Sequence, residues 1–200
     1  MIEVGALELH HPDGQVFTFD PGSLALAFAV SGAGTHDGPL AVFQTLSQPS
    51  DLERWALDVA GAGGLTASDD DLDLAVRLQA AIWSVADAVI DRRPVPAADR
   101  AVLNDLAAVP ALVPRLLPGP HRTWVGALGM RSLISSVAQD AIDVFGGPRG
   151  VRLKRCEGSR CALLFVDTSR SGRRRWCSME RCGNRSKVAA HRHRRKENDA

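Results

Sequence analysis

The chain contains no tyrosine, and none of its four cysteines lies in the first 155 residues. No apolar run approaches the ~20 residues that a membrane-spanning helix needs. The opening segment, MIEVGALELHH, lacks a basic stretch followed by an apolar one. No secretory signal is read there, and a cytoplasmic location is the expectation. The sequence also lacks a GxSxG elbow, a phosphate-binding glycine loop and an HExxH pair. With neither cysteine nor tyrosine in residues 1–150, little remains for catalysis, and the chain is expected not to be an enzyme. Asp69–Asp71 suits a helix start better than a metal site.

What is present is a division of charge. The net charge of +1 hides 9 Lys/Arg against 18 Asp/Glu in residues 1–150, and 15 against 5 in residues 151–200. An acidic body with a basic end is the pattern expected when that end meets a polyanion. A solvated, disordered tail would have the same composition.

ALELHHPDGQVFTF alternates apolar and polar residues around Pro12-Asp13-Gly14, which predicts a β-hairpin. SLALAFAV is a short apolar run that fits either a strand or a buried helix. A glycine-rich loop, SGAGTHDGP, follows it. Ser50-Asp51-Leu52-Glu53 has capping-box spacing, with Leu52, Trp55, Ala56 and Val59 on one face and Gly61, Gly63 and Gly64 at the end. Ser68 and three aspartates open the next helix. Its stripe runs through Leu72, Val76, Gln79, Ile82, Trp83, Ala86, Val89 and Ile90, and Pro94 and Pro96 stop it. A short helix is expected over Arg100–Ala107. The proline-broken PALVPRLLPGPHR reads as a connector. Met130, Leu133, Ile134, Val137, Ala138, Ala141, Ile142 and Phe145 trace a fourth helix, and Gly147–Gly150 is a candidate hinge. The fold class expected is α+β: a mainly helical domain with a β-hairpin over residues 1–148, then a small zinc-bound β-hairpin plus basic helix over 151–196.

Cys156-x4-Cys161 and Cys177-x4-Cys182 form two matched pairs. Clustered cysteines in a reducing compartment point to metal, and zinc takes four thiolates in a tetrahedron. Four structural thiols or two disulfides are the alternatives. Four sulfur ligands would leave no open position, so the metal would be structural. Segments 152–155, 162–167 and 174–177 are expected to build the hairpin, with Thr168–Gly172 as its turn. His191 and His193 are read as tail residues, and His10 and His11 as hairpin residues.

CALLFVDTSRSGRRRWCSMERCGNRSKVAAHRHRRK resembles the CGNR zinc finger family. The namesake tetrapeptide is Cys182-Gly183-Asn184-Arg185, and Phe165-Val166-Asp167, Ser169-Arg170, Arg174–Met179 and Arg185-Ser186-Lys187 flank it in the same pattern. The likeness covers roughly residues 150–196. Such proteins carry an N-terminal ABATE domain, and SLALAFAV, DLERWALDVAG and AVLNDLAA resemble its segments. The family's LDFVNT is LAFAVS here, so Val30-Ser31 replaces an Asn-Thr pair. The resemblance implies a bacterial transcription regulator, with zinc on the four cysteines.

A helix from Ser178 onward would carry Arg181, Arg185, Lys187, Arg192, Arg194, Arg195 and Lys196, with Arg173, Arg174 and Arg175 as a second basic patch. Phosphate contacts would give affinity by counterion release, and arginine or Asn184 could read base edges. Asn184 and Arg185 could equally brace the zinc loop. The first expectation is therefore a zinc-dependent DNA-binding regulator whose N-terminal domain senses a signal or forms a homodimer. The alternatives are a protein-binding adaptor, with the acidic domain as an internal clasp on the basic face, and a small-molecule receptor built around Trp55, Trp83 and Trp124.

Overall fold

The computed structural model describes residues 2–31, 43 and 45–198, the side chains of 190, 193, 194 and 196–198 excepted. Strands β1 (Leu7–His10) and β2 (Val16–Phe19) form the expected hairpin, with Leu7 opposite Phe19 and His10 opposite Val16. The helices are α1 (Leu24–Val30), α2 (Pro49–Asp58), α3 (Asp69–Ile90), α4 (Ala97–Ala107) and α5 (Met130–Gly146). A second hairpin, β3 (Val113–Leu116) with β4 (Arg122–Val125), sits between α4 and α5. A 3-10 turn over Pro148–Arg152 leads to β5 (Leu153–Arg155) and β6 (Leu164–Val166), which pair antiparallel. A single π turn, Met179–Gly183, runs into α6 (Asn184–Asn198). The fold is α+β, with helices forming the body and small antiparallel ribbons attached to it.

The apolar run SLALAFAV is a helix. All seven residues of α1 are buried, as a helix that is hydrophobic all round must be. Its ends are satisfied by side chains from elsewhere. Ser23 Oγ accepts from the Leu26 amide at 3.1 Å, and the buried Asp140 of α5 accepts from the Ala25 amide at 2.9 Å. At the other end Gln79 donates to the Phe28 carbonyl at 3.0 Å and to Ser31 Oγ, and Trp83 Nε1 donates to the Ala29 carbonyl. Ser31 therefore has a polar role as part of this network.

Four expectations need correction. Helix α2 starts earlier than Ser50: Gln48 is the N-cap, Pro49 occupies the first turn, and Asp51 completes the capping box. Helix α3 buries Ala75, Leu78 and Val85, while Val76 is exposed. Because α1, α2, α4 and α5 all pack on α3, its buried sector is wider than one stripe and rotated from the one expected. Helix α4 begins at Ala97, right after the N-cap Pro96, instead of at Arg100. The proline-broken connector is the β3–β4 hairpin. Pro114 is tolerated there because a two-stranded ribbon has only edge strands, where a missing N–H need not cost a ladder bond. The loop SGAGTHDGP lies outside the described residues beyond Ser31.

Two apolar cores result. The larger is built from α1–α5 and also takes in Leu153, Leu164 and Val166. The smaller combines Phe17, Phe19 and Val30 with Leu163, Phe165 and three cysteines. Residues on both sides of Gly150 therefore share each core. Fully burying a phenylalanine such as Phe165 is worth about 1.5–3 kcal/mol. Trp55 and Trp83 are spent on packing and capping, and Trp124 lies at the base of the β3–β4 hairpin.

Candidate metal centre and its basic face

Hairpin β5–β6 turns through the first cysteine pair, not through Thr168–Gly172 as expected. Cys156 N–H donates to the Leu163 carbonyl at 2.9 Å, so residues 157–162 bulge as a short loop with a cysteine at each base. Gly158 permits that loop. A Cβ there would lie 2.7 Å from Cys182 Sγ, closer than any side chain can sit. The chain then turns at 168–172, and residues 174–177 return beside the loop without forming a strand, held by Glu157 N–H donating to the Arg175 carbonyl at 3.0 Å.

Asp167 organises that return. It is fully buried and accepts from Lys154 Nζ at 2.8 Å, from Ser169 Oγ at 2.6 Å, and from the Ser169 and Arg174 amides. Burial opposes its ionisation, but the Lys154 ammonium and the other donors outweigh burial and hold the carboxyl well below the usual range. Arg174 spans the same turn from above, donating to the carbonyls of Asp20, Trp176 and Cys177 at 2.8, 3.0 and 2.6 Å, with its guanidinium 4.1 Å from the centre of the Phe165 ring.

These restraints bring the four cysteine sulfurs within 4.8 Å of one another. All four are free thiols, which rules out the disulfide alternative in this conformation, and three are buried. The Cys161 and Cys177 sulfurs are 3.8 Å apart. A tetrahedron with metal–sulfur bonds of about 2.3 Å has edges near 3.8 Å, so the cluster is close to the size a thiolate metal site requires. The Cys177 amide points at Cys156 Sγ from 3.2 Å and the Gly158 amide from 3.4 Å. Hydrogen bonds from the other three thiols and from the Cys177 amide pull the Cys156 thiol far below the ordinary range. Cys161 and Cys177, which donate to it, are pushed far above. A cation among the sulfurs would reverse that conflict, since a coordinating thiol is deprotonated outright. The four cysteines thus fit a metal ion as a closed, all-sulfur site. His191 is exposed and outside the cluster.

The arginines fall into two groups. One group is engaged internally. Arg181 is 4 % exposed, lies over the Phe17 ring, and donates to Asp13 at 3.1–3.2 Å and to Gln15 Oε1 at 2.7 Å. Arg185 donates to Asp13 Oδ2 at 2.6 Å. Arg181 foremost, with the Gln15 amide and Arg185, holds the Asp13 carboxyl well below its usual range. Arg174 is committed as described, and Arg175 pairs with Glu157 at 2.7 Å. Arg155, which charge counting did not single out, joins Asp87 at 2.7 Å and Asp91 at 3.4 Å on α3. The other group faces solvent: Arg173, Lys187, Arg192 and Arg195 are exposed, with no ion pair among the described residues. The Arg194 side chain lies outside the described residues. Asn184 approaches the Glu180 carbonyl at 3.4 Å, and the side-chain hydrogen bonds of Asn184 and Arg185 go to that carbonyl and to Asp13, not to a cysteine sulfur.

None of the described side chains of helix α6 is buried. Apart from the π turn that feeds it, no other element packs against it extensively, and even Val188 is exposed. No described helix is long and apolar enough to cross a membrane.

Comparison with known proteins agrees with these two parts. The CGNR zinc finger family matches residues 152–195. The ABATE family, described as "Putative stress-induced transcription regulator", matches residues 22–148. No curated protein matches the chain. With well over half of its length covered by that second match, and a CGNR zinc finger after it, the protein belongs to the ABATE family.

Proposed function

We propose that this chain is a zinc-dependent DNA-binding transcription regulator of the cytoplasm. Zinc on Cys156, Cys161, Cys177 and Cys182 acts as a folding clamp, because four thiolates leave it no position for substrate or water. Recognition falls to the cations that the clamp displays, and the chain is not an enzyme. The helical body would serve as the sensing or dimerising part.

The observation that carries this reading is α6. Among the described side chains of this 15-residue helix none is buried, its one tertiary ion pair is Arg185 with Asp13, and a helix with so little packing is marginal alone in water. Lys187, Arg192 and Arg195 project from it into solvent, and Arg173 is exposed on the nearby turn. Such a helix suits a polyanion that supplies the missing stabilisation, and its width suits a DNA major groove. The test is binding of zinc-loaded full-length protein to random duplex DNA across a salt series, followed by selection of bound sequences from that pool. Tight binding with steep salt dependence supports the proposal, and an enriched motif would add base reading. No binding at low salt would remove it.

A second reading is favoured by one observation. Asp13 occupies Arg181 and Arg185 together, so the basic face is partly closed by the chain's own acidic hairpin. Under the adaptor alternative, that contact is how the module holds acidic protein surfaces in general. Full-length protein that binds acidic peptide but not duplex DNA would favour it.

A further inference from the structure

Hairpin β3–β4 stands away from the body. Every residue of β3 is exposed, Val113 by 62 % and Leu116 by 78 %. Leu117, Val125 and Leu128 add apolar surface around it. A two-stranded ribbon held to the body through the half-buried Thr123 and Trp124 alone among its strand residues is marginally stable in water, and its open edges invite a partner.

The chemistry of the ribbon identifies that partner. From Leu106 through Gln139 the sequence has no Asp or Glu, although residues 1–150 hold twice as many acids as bases. Arg115, His121 and Arg122 all lie on the hairpin, and neither arginine has an ion pair among the described residues. Leu116 pairs with Arg122 and Arg115 with Thr123, so the two arginines rise from opposite faces of the ribbon. Arg122 stacks on Trp124, 4.6 Å from the ring centre, and Trp124 in turn packs at the edge of the larger core. The tip is stiff: Leu117 N–H donates to the His121 carbonyl at 2.8 Å, around Pro118, Gly119 at φ 101° and Pro120. A cationic, apolar-tipped arm on an acidic body matches a polyanion with recessed apolar surface between its charged strands.

We propose that the β3–β4 hairpin is a second duplex-DNA contact, entering a groove tip first. Arg115 and Arg122 each reach the phosphates of one bordering strand, and Leu116 and Leu117 pack on sugars and base edges. The inference rests on the DNA-binding reading above and adds a contact on the body of the protein, remote in sequence from the metal centre.

The test uses full-length, zinc-loaded protein and a random duplex, with affinity followed by fluorescence anisotropy across a salt series. Combined Arg115→Gln and Arg122→Gln should flatten the slope of log K against log salt by about 1.8, since each phosphate contact contributes about 0.9. Combined Leu116→Ser and Leu117→Ser should weaken binding several-fold and leave the slope unchanged. All four side chains are exposed, so unchanged thermal midpoints are expected and serve as the folding control. If wild-type protein binds DNA and both variants match it in affinity and slope, the arm is overturned while the DNA-binding reading stands. If wild-type protein binds no DNA, that reading fails and takes the arm with it. Sedimentation with phosphatidylglycerol vesicles supplies the last outcome: wild type carried down, the leucine variant not, and DNA affinity untouched would make the tip a membrane contact and overturn the proposal.

Discussion

Asp13 and Arg181 meet across 168 positions of sequence, the carboxylate taking two guanidinium nitrogens at 3.1 and 3.2 Å. The pair joins the turn of the first hairpin to the π turn that carries the last cysteine. Glu180 reinforces it from the other direction, accepting from the Thr18 amide at 3.2 Å. The basic face and the N-terminal hairpin are therefore one unit.

Asp13→Asn should raise affinity for duplex DNA at low salt by about three- to ten-fold, because Arg185 is freed from a neutralising carboxylate and can turn to phosphate. Anisotropy titrations of the two proteins decide it, and equal affinities would mean that the pair does not compete with DNA.

The same substitution predicts a pH signature. Folding lowers the Asp13 pKa, so the stability it contributes is fully present above the unfolded value, about 4, and is lost as pH falls through the folded one. Wild type should therefore melt above Asp13→Asn at neutral pH, with the gap closing below about pH 4. Scanning calorimetry with excess zinc checks this; a gap that widens in acid would contradict it.

Elemental analysis of purified protein should find about one zinc per chain. Cys161→Ser should forfeit much of the free energy the metal supplies, which is on the order of 10–16 kcal/mol in isolated zinc fingers. The loss should extend beyond the module, because Cys156, Cys177 and Cys182 pack against Phe17 and Phe19. Hydrogen exchange should show β1 and β2 losing protection together with residues 153–183, while α3 and α5 keep theirs.

Asp167→Ala should destabilise by about 3 kcal/mol. It strands the half-buried Lys154 ammonium and frees the turn that returns to Cys177. Asp167→Asn keeps the shape without the charge and should cost less. Urea denaturation of both variants separates lost pairing from lost shape.

Gly158→Ala should weaken metal binding by on the order of ten-fold or more, comparable to the loss of a supporting group around a metal ligand. The added methyl has Cys182 Sγ at 2.7 Å and Cys161 Cβ at 3.3 Å, so a ligand must shift. Competition with a chromophoric chelator reads this directly.

The parts legible in the sequence were those set by local rules. Ser68 and its aspartates cap α3 as spacing predicts, and the two cysteine pairs announce a shared site. Helix α2 was misplaced by two residues because Gln48 is an uncommon cap and Pro49 a common first-turn residue, so Ser50 looked stronger than it was. The β3–β4 hairpin was hidden by its prolines, which break helices and central strands alike but are harmless on a free edge. Charge counting found the basic end and could not sort it. Arg181 and Arg195 look equivalent in composition, yet one is buried over Phe17 and the other faces solvent. That difference comes from Asp13 and Gln15, which are near in space and far along the chain. Asp140 escaped notice, and Gln79 was read only as part of the α3 stripe, for the same reason: each serves a helix end in another segment.

The sharing of the larger core has a practical consequence. Leu153, Leu164 and Val166 belong to it although they follow Gly150. A zinc-finger fragment cut at that glycine would carry three bare apolar side chains on the surface that normally joins the larger core beside α3. It would be a sticky object, prone to self-association and to unspecific capture of whatever is offered. Its behaviour in a binding screen would report the cut, and the intact chain is the smallest unit whose affinities can be read at face value.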